Sequence, residues 1–123
     1  MATILIVDDD IDIVNLFRIF LSREGHVALS ASDGTACLEK LQHVRPDLIL
    51  LDIMMAPMDG WETLSSIKKN GETKDIPVIM ITGKPLVNNE QEKYDGMYCE
   101  YMMKPVRRQQ LCGTVNAVLK QSR

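Results

Sequence analysis

The sequence predicts a three-layer α/β domain, a doubly wound parallel sheet of five strands with helices on both faces. Short apolar runs recur five times along the chain, and four of the five longer segments that follow them carry helical periodicity. The middle runs are apolar on both faces, as strands buried inside a parallel sheet must be. The 123 residues, 46% hydrophobic and 25% charged, suit one domain with a real core. Right-handed crossovers leave few strand orders, and 2-1-3-4-5 is the usual one for five strands.

Each element has a local reason. TILIV (3–7) is apolar and rich in β-branched residues, a strand. DIDIVNLFRIFLSREG (10–25) follows, with Ile13, Leu16, Phe17 and Phe20 at helical spacing and Gly25 as its stop. HVALSA (26–31) is a weaker strand. Asp33 is placed to cap a second helix carrying Leu38, Leu41 and Val44. PDLILLD (46–52) is the third strand, and Gly60 starts a helix with Trp61, Leu64 and Ile67 on one side, ending near Asn70-Gly71. IPVIMIT (76–82) and EYMMK (100–104) are strands four and five. Between them, 84–99 is polar and proline-interrupted and is expected to hold a short fourth helix. The segment 106–121 places Leu111, Val115, Val118 and Leu119 on one face of a terminal amphipathic helix.

Composition excludes several classes. The net charge of −3 argues against nucleic acid or an anionic membrane as the direct partner. Cys37, Cys99 and Cys112 are odd in number and far apart, which points to reduced thiols and a cytoplasmic address. The N-terminus lacks a basic segment and meets acid at Asp8, unlike a signal peptide. No apolar run approaches the roughly 18 residues of a membrane span. Residues 1–123 are expected to form a single domain with no output domain after it.

The chemistry gathers at one edge. Sites in such sheets lie at the carboxyl ends of the strands, beside the point where the winding reverses. The residues that follow the central strands are Asp8 and Asp9, then Asp52, then Thr82 with Gly83, and Lys104 with Pro105. Three carboxylates this close repel, and without help one would hold a proton. A divalent cation relieves the conflict, and Mg²⁺ suits hard oxygen ligands and phosphate. With Lys104 as a point charge and Thr82 as a donor, the set is a site for a phosphoryl group on Asp52.

These motifs, ILIVDDD (4–10), PDLILLDIMMAPMDG (46–60), IPVIMITGK (76–84) and YMMKP (101–105), resemble a response-regulator receiver domain of two-component signalling. Order and spacing match over essentially the whole chain. The resemblance implies a flavodoxin-like fold with the 2-1-3-4-5 order of chemotaxis receivers, Mg²⁺ as cofactor, and Asp52 as phosphoacceptor. Asp9 would bind the metal directly, Asp8 largely through water, and the Met54 carbonyl would be a further ligand. Lys104 would pair with a phosphoryl oxygen. Thr82 would move to hydrogen-bond another, with Tyr101 swinging inward as the aromatic switch. The Lys104–Pro105 bond is usually cis in this family. Met54 and Lys84 would flank the water that hydrolyses the acyl phosphate and so tune its lifetime. The donor would be a histidine kinase or phosphotransfer protein. Output would pass through the face of helix four, strand five and helix five to a protein partner that the sequence does not identify. The domain would be a signalling phosphoacceptor, not an enzyme, and a monomer or a phosphorylation-dependent dimer.

This chain departs from the family in two places. The proline usually found four residues after the acceptor is replaced by Ala56, with Pro57 one place later, and GMYCEY (96–101) carries an extra residue before Tyr101. The simpler alternatives are an acidic run that only caps helix one, methionines that only pack, His26 and His43 on the surface, Trp61 partly buried, and Arg107 and Arg108 as a solvated helix start. Two other functions compete: a degenerate receiver that binds partners unphosphorylated, and a small Mg²⁺-dependent aspartyl phosphatase. The phosphatase needs an acid two residues after its nucleophile, where this chain has Met54.

Overall fold

A computed structural model describes residues 1–83 and 88–121. Five strands and five helices alternate: β1 (Thr3–Val7), α1 (Ile11–Arg23), β2 (Val27–Ala31), α2 (Gly34–Lys40), β3 (Leu48–Asp52), α3 (Gly60–Lys69), β4 (Val78–Thr82), α4 (Asn88–Tyr94), β5 (Glu100–Met103) and α5 (Arg108–Gln121). All strand pairs are parallel, in the order β2-β1-β3-β4-β5.

The double-sided apolar runs explain the layers. Side chains alternate across a strand, so Ile4, Ile6, Leu48, Leu50, Ile79 and Ile81 face α1 and α5, where Val14, Phe17, Leu21, Leu111 and Val115 meet them. Leu5, Val7, Ile49, Leu51, Val78 and Met80 face the other way, against Cys37, Trp61, Leu64 and Ile67. β3 and β4 are buried at every position, whereas β2, at the sheet's edge, is only partly covered.

Capping aspartates start three helices. Asp10 accepts from the Asp12 and Ile13 N–H groups, and Asp33 accepts from that of Ala36. Asp59 and Glu62 form a reciprocal capping box at the start of α3. α1 ends against Gly25 in a left-handed conformation, φ 84°.

Some expectations need correction. The buried face of α1 is Val14, Phe17 and Leu21, while Leu16 is exposed. His26 is not a free surface residue: its Nδ1 accepts from the Ala2 N–H, and its Nε2 lies 3.1 Å from Asn116 Oδ1. His43 is exposed, as expected. Trp61 is buried outright, because α4 folds over it. Strands two to five are shorter than the apolar segments by one or two residues, and α5 begins at Arg108, two residues later than the segment 106–121.

Candidate functional site

The sheet register brings the strand ends together. Val7 pairs with Leu51, Asp52 with Ile81 and Thr82 with Met103. The residues just past those ends therefore share one crevice. Asp8 is anchored by its own N–H, which donates to Ala31 O at 3.2 Å. The Lys104 N–H donates to Thr82 O at 2.7 Å, fixing where the lysine leaves β5. The Lys104–Pro105 peptide that follows is cis, and so is Ala56–Pro57.

Lys104 bridges the acids. Its Nζ lies 3.0 Å from Asp8 Oδ2 and 3.5 Å from Asp52 Oδ2. Both carboxylates are only 3% exposed, while Asp9 is exposed. The remaining oxygens are partly used: Asp8 Oδ1 accepts from the Asp10 N–H at 2.9 Å, and Asp52 Oδ1 accepts from the Met54 N–H at 3.2 Å. Asp10 itself turns away to cap α1. The acidic run therefore divides its labour, with one residue for the helix and two for the crevice.

Electrostatics follow from this packing. Burial, then the neighbouring Asp8 charge, push the Asp52 carboxyl up to about 6, against the opposing pull of Lys104 and the Met54 N–H. Burial disfavours the Lys104 ammonium, but the hydrogen bond to Asp8 and the charges of Asp52 and Asp8 outweigh it and raise its pKa. Asp8, Asp9 and Asp52 each offer one oxygen, all within 4.8 Å of one another. This hard, anionic oxygen set fits a divalent cation of the Mg²⁺ type, which would relieve the repulsion that one ammonium leaves over.

The other expected residues are placed as follows. Thr82 ends β4 and is buried. Tyr101 lies on β5 and is 41% exposed, turned outward. Met54 is half exposed at the mouth of the crevice. Lys84 lies outside the described residues. Arg107 and Arg108 are solvated, and the three cysteines are free thiols.

Sequence reasoning missed what holds the end of β3 from below. Gly60 donates its N–H to Ile53 O at 2.8 Å. A Cβ at Gly60 would overlap the Asp52 carbonyl oxygen and the Ile53 Cα. Only glycine lets α3 start this close to Asp52. The D-x-x-E pattern of Asp59 and Glu62 signals the helix start, but only the fold shows what lies under it.

The family pattern of the response regulator receiver domain matches residues 4–116. The chain belongs to this family. Among curated relatives, the receiver is 35% identical to Protein PilH of Pseudomonas aeruginosa over 122 residues, covering 97% of this chain and 98% of that one. It is 34% identical to the alkaline phosphatase synthesis transcriptional regulatory protein PhoP of Bacillus subtilis, covering 97% of this chain and 49% of that one. The receiver thus spans about half the length of PhoP and nearly all of PilH. Among solved structures, it superposes on the N-terminal domain of a response regulator receiver protein from Methanoculleus marisnigri, with TM-score 0.82, 47% identity and 97% of each chain covered. It also superposes on chemotaxis protein CheY4 of Vibrio cholerae, with TM-score 0.88, 28% identity, and 96% and 98% covered. Receivers of this family act as signalling phosphoacceptors in two-component systems and bind Mg²⁺ through an acidic pocket. Among the described residues, no helix is long and apolar enough to cross a membrane.

Proposed function

We propose that this receiver takes a phosphoryl group from the phosphohistidine of a histidine kinase or phosphotransfer protein onto Asp52. One Asp52 oxygen attacks phosphorus and the P–N bond breaks with its electron pair returning to the ring nitrogen, so that an imidazole whose other nitrogen is already protonated leaves neutral. The observation that carries this reading is the buried Asp52 carboxylate paired with Lys104 beside Asp8 and Asp9. Asp8, Asp9, Asp52 and the Met54 carbonyl would hold Mg²⁺, and that ion would neutralise developing charge on the phosphoryl group. Lys104, whose Nζ already lies beside Asp52 Oδ2, meets a phosphoryl oxygen. The chain's own contribution is positioning and fixed charge.

The switch follows from the same edge. Thr82 hydrogen-bonds the new phosphoryl group and Tyr101 turns inward, shifting a pre-existing equilibrium in the face of α4, β5 and α5 toward partner binding. That partner is a protein, and the receiver works in the cytoplasm as a monomer or a phosphorylation-dependent dimer. The Met54 side chain, half exposed, offers water only a weakly accepting thioether, so the acyl phosphate is long-lived; Lys84 shares this tuning.

The test is acetyl phosphate or phosphoramidate with Mg²⁺, read by intact mass. Wild type gains one phosphoryl group and Asp52→Asn gains none. An unlabelled wild type, or equal labelling of the variant, overturns the reading.

A further inference from the structure

The phosphoacceptor reading leaves a cluster of aromatic rings unused. Trp61, the sole tryptophan of the chain, is 4% exposed at the start of α3. Its indole stacks flat on Tyr94 at the end of α4, with centroids 4.5 Å apart and planes 10° from parallel. Tyr98 meets the same indole at 5.7 Å, tilted by 58°. Lys93 Nζ lies 5.4 Å from the Tyr94 ring centre. The Trp61 Nε1 is buried without a hydrogen-bond partner among the described residues. The indole is therefore held by ring packing, with no polar anchor among the described residues. Tyr94, Met97 and Tyr98 are half-buried against this side of the core. They supply the apolar attachment that the polar sequence of α4 otherwise lacks.

The cluster lies between the acceptor and the switch tyrosine. On one side, Trp61 directly follows Gly60, whose backbone packs on that of Asp52 and Ile53. On the other, Tyr101 pairs in register with Met80. Met80 belongs to the same face as Trp61 and Tyr94, whereas Met102 belongs to the opposite face. Tyr101 thus stands on the face of the ring cluster. The Tyr98 hydroxyl is pushed up first by burial, then by Asp95 and Tyr101, which puts Tyr101 within its electrostatic reach. Turned inward, Tyr101 enters space beside rings that are already packed, and packed interiors change by switching between arrangements.

We propose that the Trp61–Tyr94 stack is a latch that holds α4 against α3 while Asp52 is unphosphorylated, and that it opens when Tyr101 turns inward. The inference rests on the phosphoacceptor reading and adds a physical restraint on α4 to it. A stacked aromatic pair biases such an equilibrium by about 2- to 10-fold. By linkage, removing the stack raises affinity for a phosphoryl mimic by the same factor.

The single tryptophan makes the latch observable. With Mg²⁺ and beryllofluoride, Trp61 emission is expected to shift to the red and acrylamide quenching to rise. Tyr94→Ala, and Tyr94→Leu should the alanine variant fail to fold, are expected to show that emission without beryllofluoride and to bind it about 2- to 10-fold more tightly, read by fluorine NMR. Tyr94→Phe keeps the stack and behaves as wild type. A bound fluorine signal with unchanged emission and quenching overturns the latch, as does wild-type affinity in Tyr94→Ala or Tyr94→Leu. Loss of both the bound fluorine signal and phosphoryl labelling of wild type overturns the phosphoacceptor reading instead, and the latch's trigger with it.

Discussion

Replacing Asp52 by asparagine removes a charge from a buried place while keeping the side chain's shape. The carboxyl is 3% exposed, and burial together with Asp8 moves its pKa from an ordinary 3.8 to about 6. Between those values Asp52 holds its proton more often in the folded chain than in the unfolded one, so its contribution to stability falls as pH rises through this window and levels off above it. Each pH unit is worth about 1.4 kcal/mol, so the ionised Asp52 destabilises the fold by about 3 kcal/mol at pH 7. Lys104 keeps its closer partner Asp8 at 3.0 Å in the variant, so little of this gain is lost. In metal-free buffer, Asp52→Asn is expected to be about 2–3 kcal/mol more stable than wild type at pH 7, with the gap closing toward pH 4. Urea unfolding at several pH values between 4 and 7 measures it. Equal or lower stability at pH 7, or a gap independent of pH, would refute the claim that burial and Asp8 strain this carboxylate. Added Mg²⁺ is expected to stabilise wild type more than the variant, since a ligand binding only the folded state adds its linkage energy.

Other outcomes follow from single contacts. Gly60→Ala forces a Cβ into the Asp52 and Ile53 backbone and is expected to lower stability by about 1–3 kcal/mol while slowing phosphorylation by acetyl phosphate; wild-type values in both would show that α3 simply shifts aside. Met54→Asn is expected to shorten the acyl phosphate's lifetime, timed by intact mass after donor removal, and an unchanged decay rate would count against Met54 as the tuning residue. Asp10→Ala loses the α1 cap, about 1 kcal/mol, and leaves Mg²⁺ affinity intact. Asp9→Asn is expected to do the reverse, weakening Mg²⁺ binding in a calorimetric titration with little change in stability.

Much of this architecture can be read along the chain because its signals are local. Apolar runs on both faces mark β3 and β4 as central, and aspartates at Asp10, Asp33 and Asp59 mark helix starts. Asp8, Asp9, Asp52, Thr82 and Lys104 can be placed at one edge because a parallel sheet puts all its carboxyl ends together. What local pattern cannot supply is the contact between elements distant in sequence. The approach of Gly60 to Asp52, the bridge of His26 to Ala2 and Asn116, and the exposure of Leu16 depend on how helices sit on the sheet.

The segment around α4 shows the division most clearly. Its sequence is polar, and nothing in its period says what would hold a helix there. The answer lies more than thirty residues away in Trp61, which stacks on Tyr94 once α3 and α4 are neighbours. Hydrogen-bonding period and side-chain alternation are properties of the backbone, so sequence alone determined the strands, the layers and the ends that carry charge. Ring stacking, close backbone approach and the rise in the Asp52 pKa depend on distances across the fold, and only the tertiary structure decided them.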